Sequence, residues 1–176
     1  MQIKVFITGI NGFVGRNLGP YLAEDFDVNC ISQPGKTGGL TYTQFLGKPI
    51  SYDAFIHLAG KAHDLKNSAN DSEYYEVNFE LTKRLYDQFL QSNAKTFIYI
   101  SSVKAAADQV DGILTEEVVP APVTAYGKSK LMFENYILAR MPKDKNVYIL
   151  RLCMLHGSGL KGNLNLLFNI VSKGFP

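Results

Sequence analysis

The sequence predicts an α/β fold: a doubly wound parallel sheet with helices on both faces. Three observations predict it. Short apolar runs of β type alternate with longer stretches of helical periodicity, a glycine-rich turn joins the first run to the first helical stretch, and 46% of the 176 residues are hydrophobic. That alternation is the mark of βαβ units, and this much apolar side chain can bury one sizeable core.

The first strand is expected at Ile3 to Thr8. From Phe13 to Ala23 the apolar residues Phe13, Val14, Leu18, Tyr21 and Leu22 recur at helical spacing, and Pro20 within that pattern predicts a kink or an early stop. A second strand spans Asp27 to Ser32. Residues 33 to 52, rich in Gly, Pro, Thr and Tyr, predict a loop with at most a short strand near Leu40 to Tyr42 and one helical turn near Gln44 to Leu46. Asp53 to Leu58 is a buried strand, and Ser72 to Gln91 a long helix turning Tyr75, Val77, Leu81, Leu85, Phe89 and Leu90 to the core. The strand Thr96 to Ile100 is followed by a connection from Ser101 to Thr124 long enough to suggest a functional loop. A helix over 124–140, a sixth strand from Asn146 to Leu152 and a last helix from Asn163 to Ser172, stopped at Lys173-Gly174, complete the pattern.

Composition excludes several functions. The 18 basic and 16 acidic residues give a net charge of +2 spread along the chain, so no basic stripe marks a nucleic-acid partner. Cys30 and Cys153 are isolated in apolar runs and read as small buried hydrophobes in a reducing compartment. His57, His63 and His156 share no metal-ligand spacing; one is expected buried in a strand and two in loops. Tyr74 and Tyr75 read as core or half-buried surface without functional weight. No window approaches the roughly 18 apolar residues of a membrane span, and the N-terminus runs straight into a strand, so a soluble cytoplasmic protein is expected.

Thr8-Gly9-Ile10-Asn11-Gly12-Phe13-Val14-Gly15 has the spacing G-x-x-G-x-x-G between the first strand and the first helix. Glycines there let the backbone turn tightly and approach a pyrophosphate, while the helix N-terminus supplies free N–H groups and the positive end of its dipole. This predicts a Rossmann-type dinucleotide site. Strand two ends in Ser32-Gln33 rather than the carboxylate that would bind ribose hydroxyls, and Lys36 is near enough in sequence to accept a 2′-phosphate, so NADP stands as an alternative to NAD.

Tyr126 and Lys130 are spaced i, i+4 on one helix face. A phenol of ordinary pKa, about 10, is a poor base at neutral pH, but an adjacent ammonium and a cationic nicotinamide both favour the phenolate and bring it into range for general acid–base work. Ser101 and Ser102 end a predicted strand, on the rim where open α/β sheets bind ligands.

With these elements in order the chain resembles the extended short-chain dehydrogenase/reductases, the NAD-dependent epimerase/dehydratase family. The resemblance is carried by Thr8 to Gly15, Asp53 to Ala59, Val77-Asn78 with Thr82, Ile100-Ser101-Ser102 and Tyr126-Gly127-Lys128-Ser129-Lys130. It implies that Tyr126 is the catalytic acid/base, that Lys130 binds the nicotinamide ribose and lowers the tyrosine pKa, and that Ser102 holds the reacting sugar oxygen. It further implies cofactor contacts from Gly9, Asn11, Gly12, Phe13, Val14 and Gly15, from Leu58, Ala59, Gly60 and Lys61, and from Asn78 and Ser101; Gly60 stands where the family often has alanine.

Ile100 to Lys104, the Thr115 to Pro122 loop and Gly157 to Asn163 look most like the branch acting on UDP-N-acetylhexosamines in bacterial polysaccharide synthesis, with Asn163 near the substrate diphosphate. The function implied is NAD(P)-dependent nucleotide-sugar 4-epimerisation. The alternatives are reduction of a 4-keto sugar nucleotide and an inactive, truncated dinucleotide-binding module. The resemblance also implies that residues 1–155 form the dinucleotide-binding domain, that 156–176 only begin a largely missing substrate domain, and that the helices Ser72 to Gln91 and Thr124 to Arg140 make a homodimer through a four-helix interface.

Overall fold

The computed structural model describes residues 2–35, 39–62, 70–157 and 170–174. Its sheet has six parallel strands, β1 (Lys4–Thr8), β2 (Asp27–Ser32), β3 (Leu40–Thr41), β4 (Ala54–His57), β5 (Thr96–Ser102) and β6 (Asn146–Leu152), in the order β3-β2-β1-β4-β5-β6. The order reverses between β1 and β4, which opens a crevice above their C-terminal ends. The helices are α1 (Phe13–Leu22), α2 (Tyr42–Leu46), α3 (Asp71–Tyr75), α4 (Thr82–Gln91) and α5 (Ala125–Leu138). The doubly wound parallel fold is therefore as expected.

Register explains both the core and the site. Phe6 pairs with Phe55 and Phe55 with Phe97, so one row across the sheet is aromatic. It packs beneath Phe45 of α2, Leu85, Tyr86 and Phe89 of α4, and Phe133 and Ile137 of α5. The row above is Thr8, His57 and Tyr99, and the next pairs Ser101 with Arg151. Along this face the sheet thus turns from apolar to polar as the strands approach their C-terminal ends. On the opposite face Val5, Ile7 and Ile56 pack with Leu18 and Leu22 of α1. Tyr148 and Leu150 of β6 are exposed.

Several expectations need correction. The long helix contains a π-helical turn, Glu76–Leu81, between α3 and α4. Strict 3.6-residue periodicity cannot anticipate the extra residue of such a turn. Its buried face is Asn78, Thr82, Leu85, Tyr86 and Phe89, whereas Tyr75, Val77 and Leu81 are half-buried. Cys153 is exposed and Cys30 half-buried, so neither is the buried hydrophobe expected. Tyr21 is exposed rather than core-facing. Helix α1 runs through Pro20 to Leu22, two residues beyond the proline. Most of the expected last helix, including Asn163, lies outside the described residues, but residues 170–172 are helical and Gly174 ends the turn after them with φ +76°. Among the described residues, no helix is long and apolar enough to cross a membrane.

Candidate active site

The glycine turn wraps the end of β1. Gly9 has φ +74°, and a Cβ there would lie 2.6 Å from the amide nitrogen of Ala59, so the β1 turn and the segment after β4 meet backbone to backbone. A Cβ on Gly15 would lie 2.3 Å from the Gly9 carbonyl, so helix α1 approaches the turn only because that side chain is missing. Gly12 is the N-cap of α1 and no side chain caps it, which leaves the N–H groups of the first turn directed at the crevice. Asn11 and Gly12 are exposed, while Phe13 and Val14 are half-buried. The latter two line an apolar groove with Leu18, Tyr21, Leu155 and His156.

At the end of β2, Ser32 is buried and donates to the Gln33 carbonyl at 3.2 Å; no carboxylate stands there. Lys36, the residue on which the NADP alternative turned, lies outside the described residues.

Leu58 to Lys61 form the next wall. The Ala59 amide donates to Thr8 Oγ1 at 3.2 Å. Asn78, buried within the π turn, accepts from the Lys61 amide at 2.8 Å, and donates to the Lys61 carbonyl and to Ser129 Oγ, both at 3.0 Å. Ser129 in turn donates to the Tyr126 carbonyl at 2.8 Å. Asn78 therefore ties the wall after β4 to the helix that carries Tyr126 and Lys130.

Tyr126 lies in the first turn of α5, which is fixed by Thr124 and Asp108. Thr124 Oγ1 accepts from the Gly127 amide at 3.2 Å, while the Asp108 carboxylate accepts from the amides of Val123 (2.6 Å) and Thr124 (3.0 Å) and from the Thr124 hydroxyl (2.9 Å). With the Ala121 amide donating to the Ala106 carbonyl at 2.8 Å, these bonds close the neck of the long connection. Gly127 lets α5 sit against that neck, since a Cβ there would lie 2.3 Å from the Lys104 carbonyl.

Tyr126 is half-buried beside Ser102, whose Oγ accepts from the Lys104 amide at 3.2 Å. Burial raises the phenol pKa and the Ser102 hydroxyl opposes that rise, with the net direction upward. The phenol is accordingly protonated at neutral pH in this structure. Tyr74 packs on Tyr126 edge to face, with ring centroids 6.3 Å apart, and Lys61 lies over Tyr74 while pairing with Glu73. Tyr74, half-buried as expected, thus belongs to the surroundings of Tyr126.

Lys130 is only 5% exposed. Its Nζ donates to the Ile100 carbonyl at 3.0 Å and lies 4.8 Å from the centre of the Tyr99 ring. Burial lowers its pKa to about 8, against the attraction of Glu134. A Cβ on Gly60 would lie 3.2 Å from Lys130 Nζ and 3.1 Å from Asn78 Oδ1, so glycine where the family often has alanine leaves these two groups their room. The two serines at the end of β5 face different ways. Ser102 is half-buried beside Tyr126, whereas buried Ser101 donates to Glu134, a buried carboxylate gripped by Arg151 through Nη2 (2.6 Å) and Nε (3.1 Å to each oxygen). Glu134 was not anticipated, although Tyr126, Lys130 and Glu134 at i, i+4 and i+8 mark one helix face.

The structure thus joins the glycine turn, residues 58–61, Asn78, Ser102, Tyr126 and Lys130 around one crevice at the sheet's switch point. That arrangement defines an α/β protein of the Rossmann type with a tyrosine–lysine pair at the rim of the crevice. The family model described as the NAD dependent epimerase/dehydratase family matches residues 5–173, and the chain belongs to this family. It is 32% identical over 194 residues to a UDP-glucose 4-epimerase of Vibrio cholerae, covering all of this chain and 59% of that one. Identity is 31% over 144 residues to a GDP-6-deoxy-D-mannose reductase of Pseudomonas aeruginosa, covering 78% and 47% of the two chains. Among solved structures, RMD from Pseudomonas aeruginosa complexed with NADPH superposes with a TM-score of 0.72 at 28% identity, covering 92% of this chain and 57% of that one. The chain spans about half to three fifths of the length of these two curated relatives.

Proposed function

We propose that the chain carries the cofactor site and the acid–base residues of an NAD(P)-dependent sugar-nucleotide 4-epimerase. The observation that supports this most is that Tyr126, beside Ser102 of β5, stands four residues before Lys130, whose buried ammonium donates to the Ile100 carbonyl of the same strand at 3.0 Å. The residues fit a dinucleotide: a turn whose approach to its neighbours requires glycine, and a helix N-terminus without a side-chain cap. The groups to hold it are Gly9, Asn11, Gly12, Phe13, Val14 and Gly15 around the diphosphate, and Leu58, Ala59, Gly60, Lys61, Asn78 and Lys130 on the ribose side. When bound, the nicotinamide takes up and returns a hydride at the sugar C4.

The chain's own residues handle the proton. Ser102 orients the C4 oxygen, and Tyr126 removes the proton from the hydroxyl and gives it back to the carbonyl oxygen. Positive charge brought beside the phenol on cofactor binding opposes the upward push of burial. Buried Ser101 anchors the strand end through Glu134, so its part is to place Ser102. A nucleotide sugar as substrate, a homodimer through the α3–α4 and α5 helices, and a dinucleotide-binding unit over 1–155 complete the proposal. The second reading, net reduction of a 4-keto sugar nucleotide, uses the same residues. It is favoured by the absence of a carboxylate after β2, where a 2′-phosphate would meet no repulsion.

The test is turnover of UDP-N-acetylglucosamine or UDP-glucose followed by NMR at C4. Tyr126→Phe is expected to lower kcat by at least about 100-fold while cofactor still binds; a fully active variant would remove Tyr126 from the mechanism.

A further inference from the structure

His57 is 1% exposed and lies in the middle of the sheet, one row above the aromatic core. An apolar side chain would fill that place without the cost of burying an imidazole, a cost offset only when both ring nitrogens are bonded. Both are. Nδ1 lies 2.7 Å from Thr8 Oγ1, and Nε2 lies 3.0 Å from Thr82 Oγ1.

The two hydroxyls determine which nitrogen bears the proton. Thr82 Oγ1 donates to the Val77 carbonyl at 3.2 Å, so its single proton is used and it accepts from His57. The ring is therefore the Nε2–H tautomer, and its bare Nδ1 accepts from the Thr8 hydroxyl. Thr8 Oγ1 in turn accepts from the Ala59 amide at 3.2 Å. The result is one directional chain: Ala59 N–H to Thr8, Thr8 O–H to His57, His57 N–H to Thr82, and Thr82 O–H to Val77.

Its ends are the informative part. Ala59 begins the wall after β4, two residues before Lys61. Val77 lies in the π turn, directly before Asn78, which holds Lys61 from the other side. The wall is thus held at Ala59 by the strand row and at Lys61 by the π turn, and His57 joins the two anchors through the core. Lys130 is the charged group nearest in effect to the ring, and Tyr99 stacks on it at 6.0 Å.

Resting on the functional reading above, we propose that Thr8, His57 and Thr82 form a positioning relay. It sets the π turn and the Ala59–Lys61 wall together, so that Asn78 and Lys61 present the ribose side of the site in one geometry. None of the three touches the reacting atoms. What they supply is registration between two loops that the sheet alone leaves independent.

The experiment is nitrogen-15 NMR of the imidazoles at neutral pH in the intact chain, combined with calorimetric titration of NADH into wild type, Thr82→Val and Thr82→Ser. Expected are a His57 signal pair with a protonated Nε2 and an unprotonated Nδ1, an NADH affinity about tenfold weaker in Thr82→Val, as suits one lost buried hydrogen bond, and recovery to within about twofold in Thr82→Ser. A protonated Nδ1, equal affinities in wild type and Thr82→Val, or no recovery with serine would overturn the relay. If the wild-type chain binds no NADH, the functional reading fails, and the ring signature alone then decides the relay: unprotonated Nδ1 supports it and protonated Nδ1 ends it.

Discussion

Lys130 shows how a buried ammonium weighs on stability. Its ammonium is held by one carbonyl, one aromatic face and the more distant Glu134, and burial leaves its pKa at about 8. In the unfolded chain the same group titrates near 10.4. Between those values the unfolded state binds more protons, so this group's contribution to stability rises with pH through the interval and is lost as pH falls through 8. Wild type is expected to gain up to about 3 kcal/mol relative to Lys130→Met between pH 8 and 10.5. Denaturant midpoints of the two proteins across that range check it, and a constant difference would mean that the ammonium is solvated. The i, i+4 spacing of Tyr126 and Lys130 was legible in the sequence because one helix face carries both. The tyrosine's upward shift was not, because it comes from burial, which the Ser102 hydroxyl only partly opposes, and spacing encodes neither.

Elements matter through their ends. Helix α5 begins where Asp108, fifteen or more positions earlier in the chain, gathers the Val123 and Thr124 amides and the Thr124 hydroxyl. Burial pushes the Asp108 carboxyl up, but the three hydrogen bonds and Lys104 outweigh it and hold its pKa below the usual value. The clamp's contribution is accordingly whole above the ordinary aspartate pKa and is lost as pH falls through the lowered value that Asp108 has in the fold. Asp108→Ala is expected to cost about 1–3 kcal/mol of stability. It should also lower kcat more than cofactor affinity, because Tyr126 loses its anchor while the glycine turn does not. Thermal melts and steady-state kinetics test this, and a fall in cofactor affinity alone would contradict it.

The strands and most helices were readable from periodicity and breakers. Where reading failed, the cause was physical. A π turn inserts a residue into a pattern that assumes 3.6 per turn, and a long-range carboxylate clamp leaves no local trace.

At the scale of the molecule, one parallel sheet separates two tasks. Its lower rows make a core from aromatics, and its upper rows carry Thr8, His57, Tyr99, Ser101 and Arg151, which support the strand ends at the switch point from below. The glycine turn, the wall after β4 and the start of α5 converge there because register places the strand ends side by side. The central claim is that this convergence is a dinucleotide site with Tyr126 at its rim. Calorimetric titration of the chain with NADH and with NADPH tests it most directly. One-to-one binding of at least one nucleotide, retained in Tyr126→Phe, is the predicted result, with a preference for NADPH pointing to the reductase reading; binding of neither nucleotide would contradict the account.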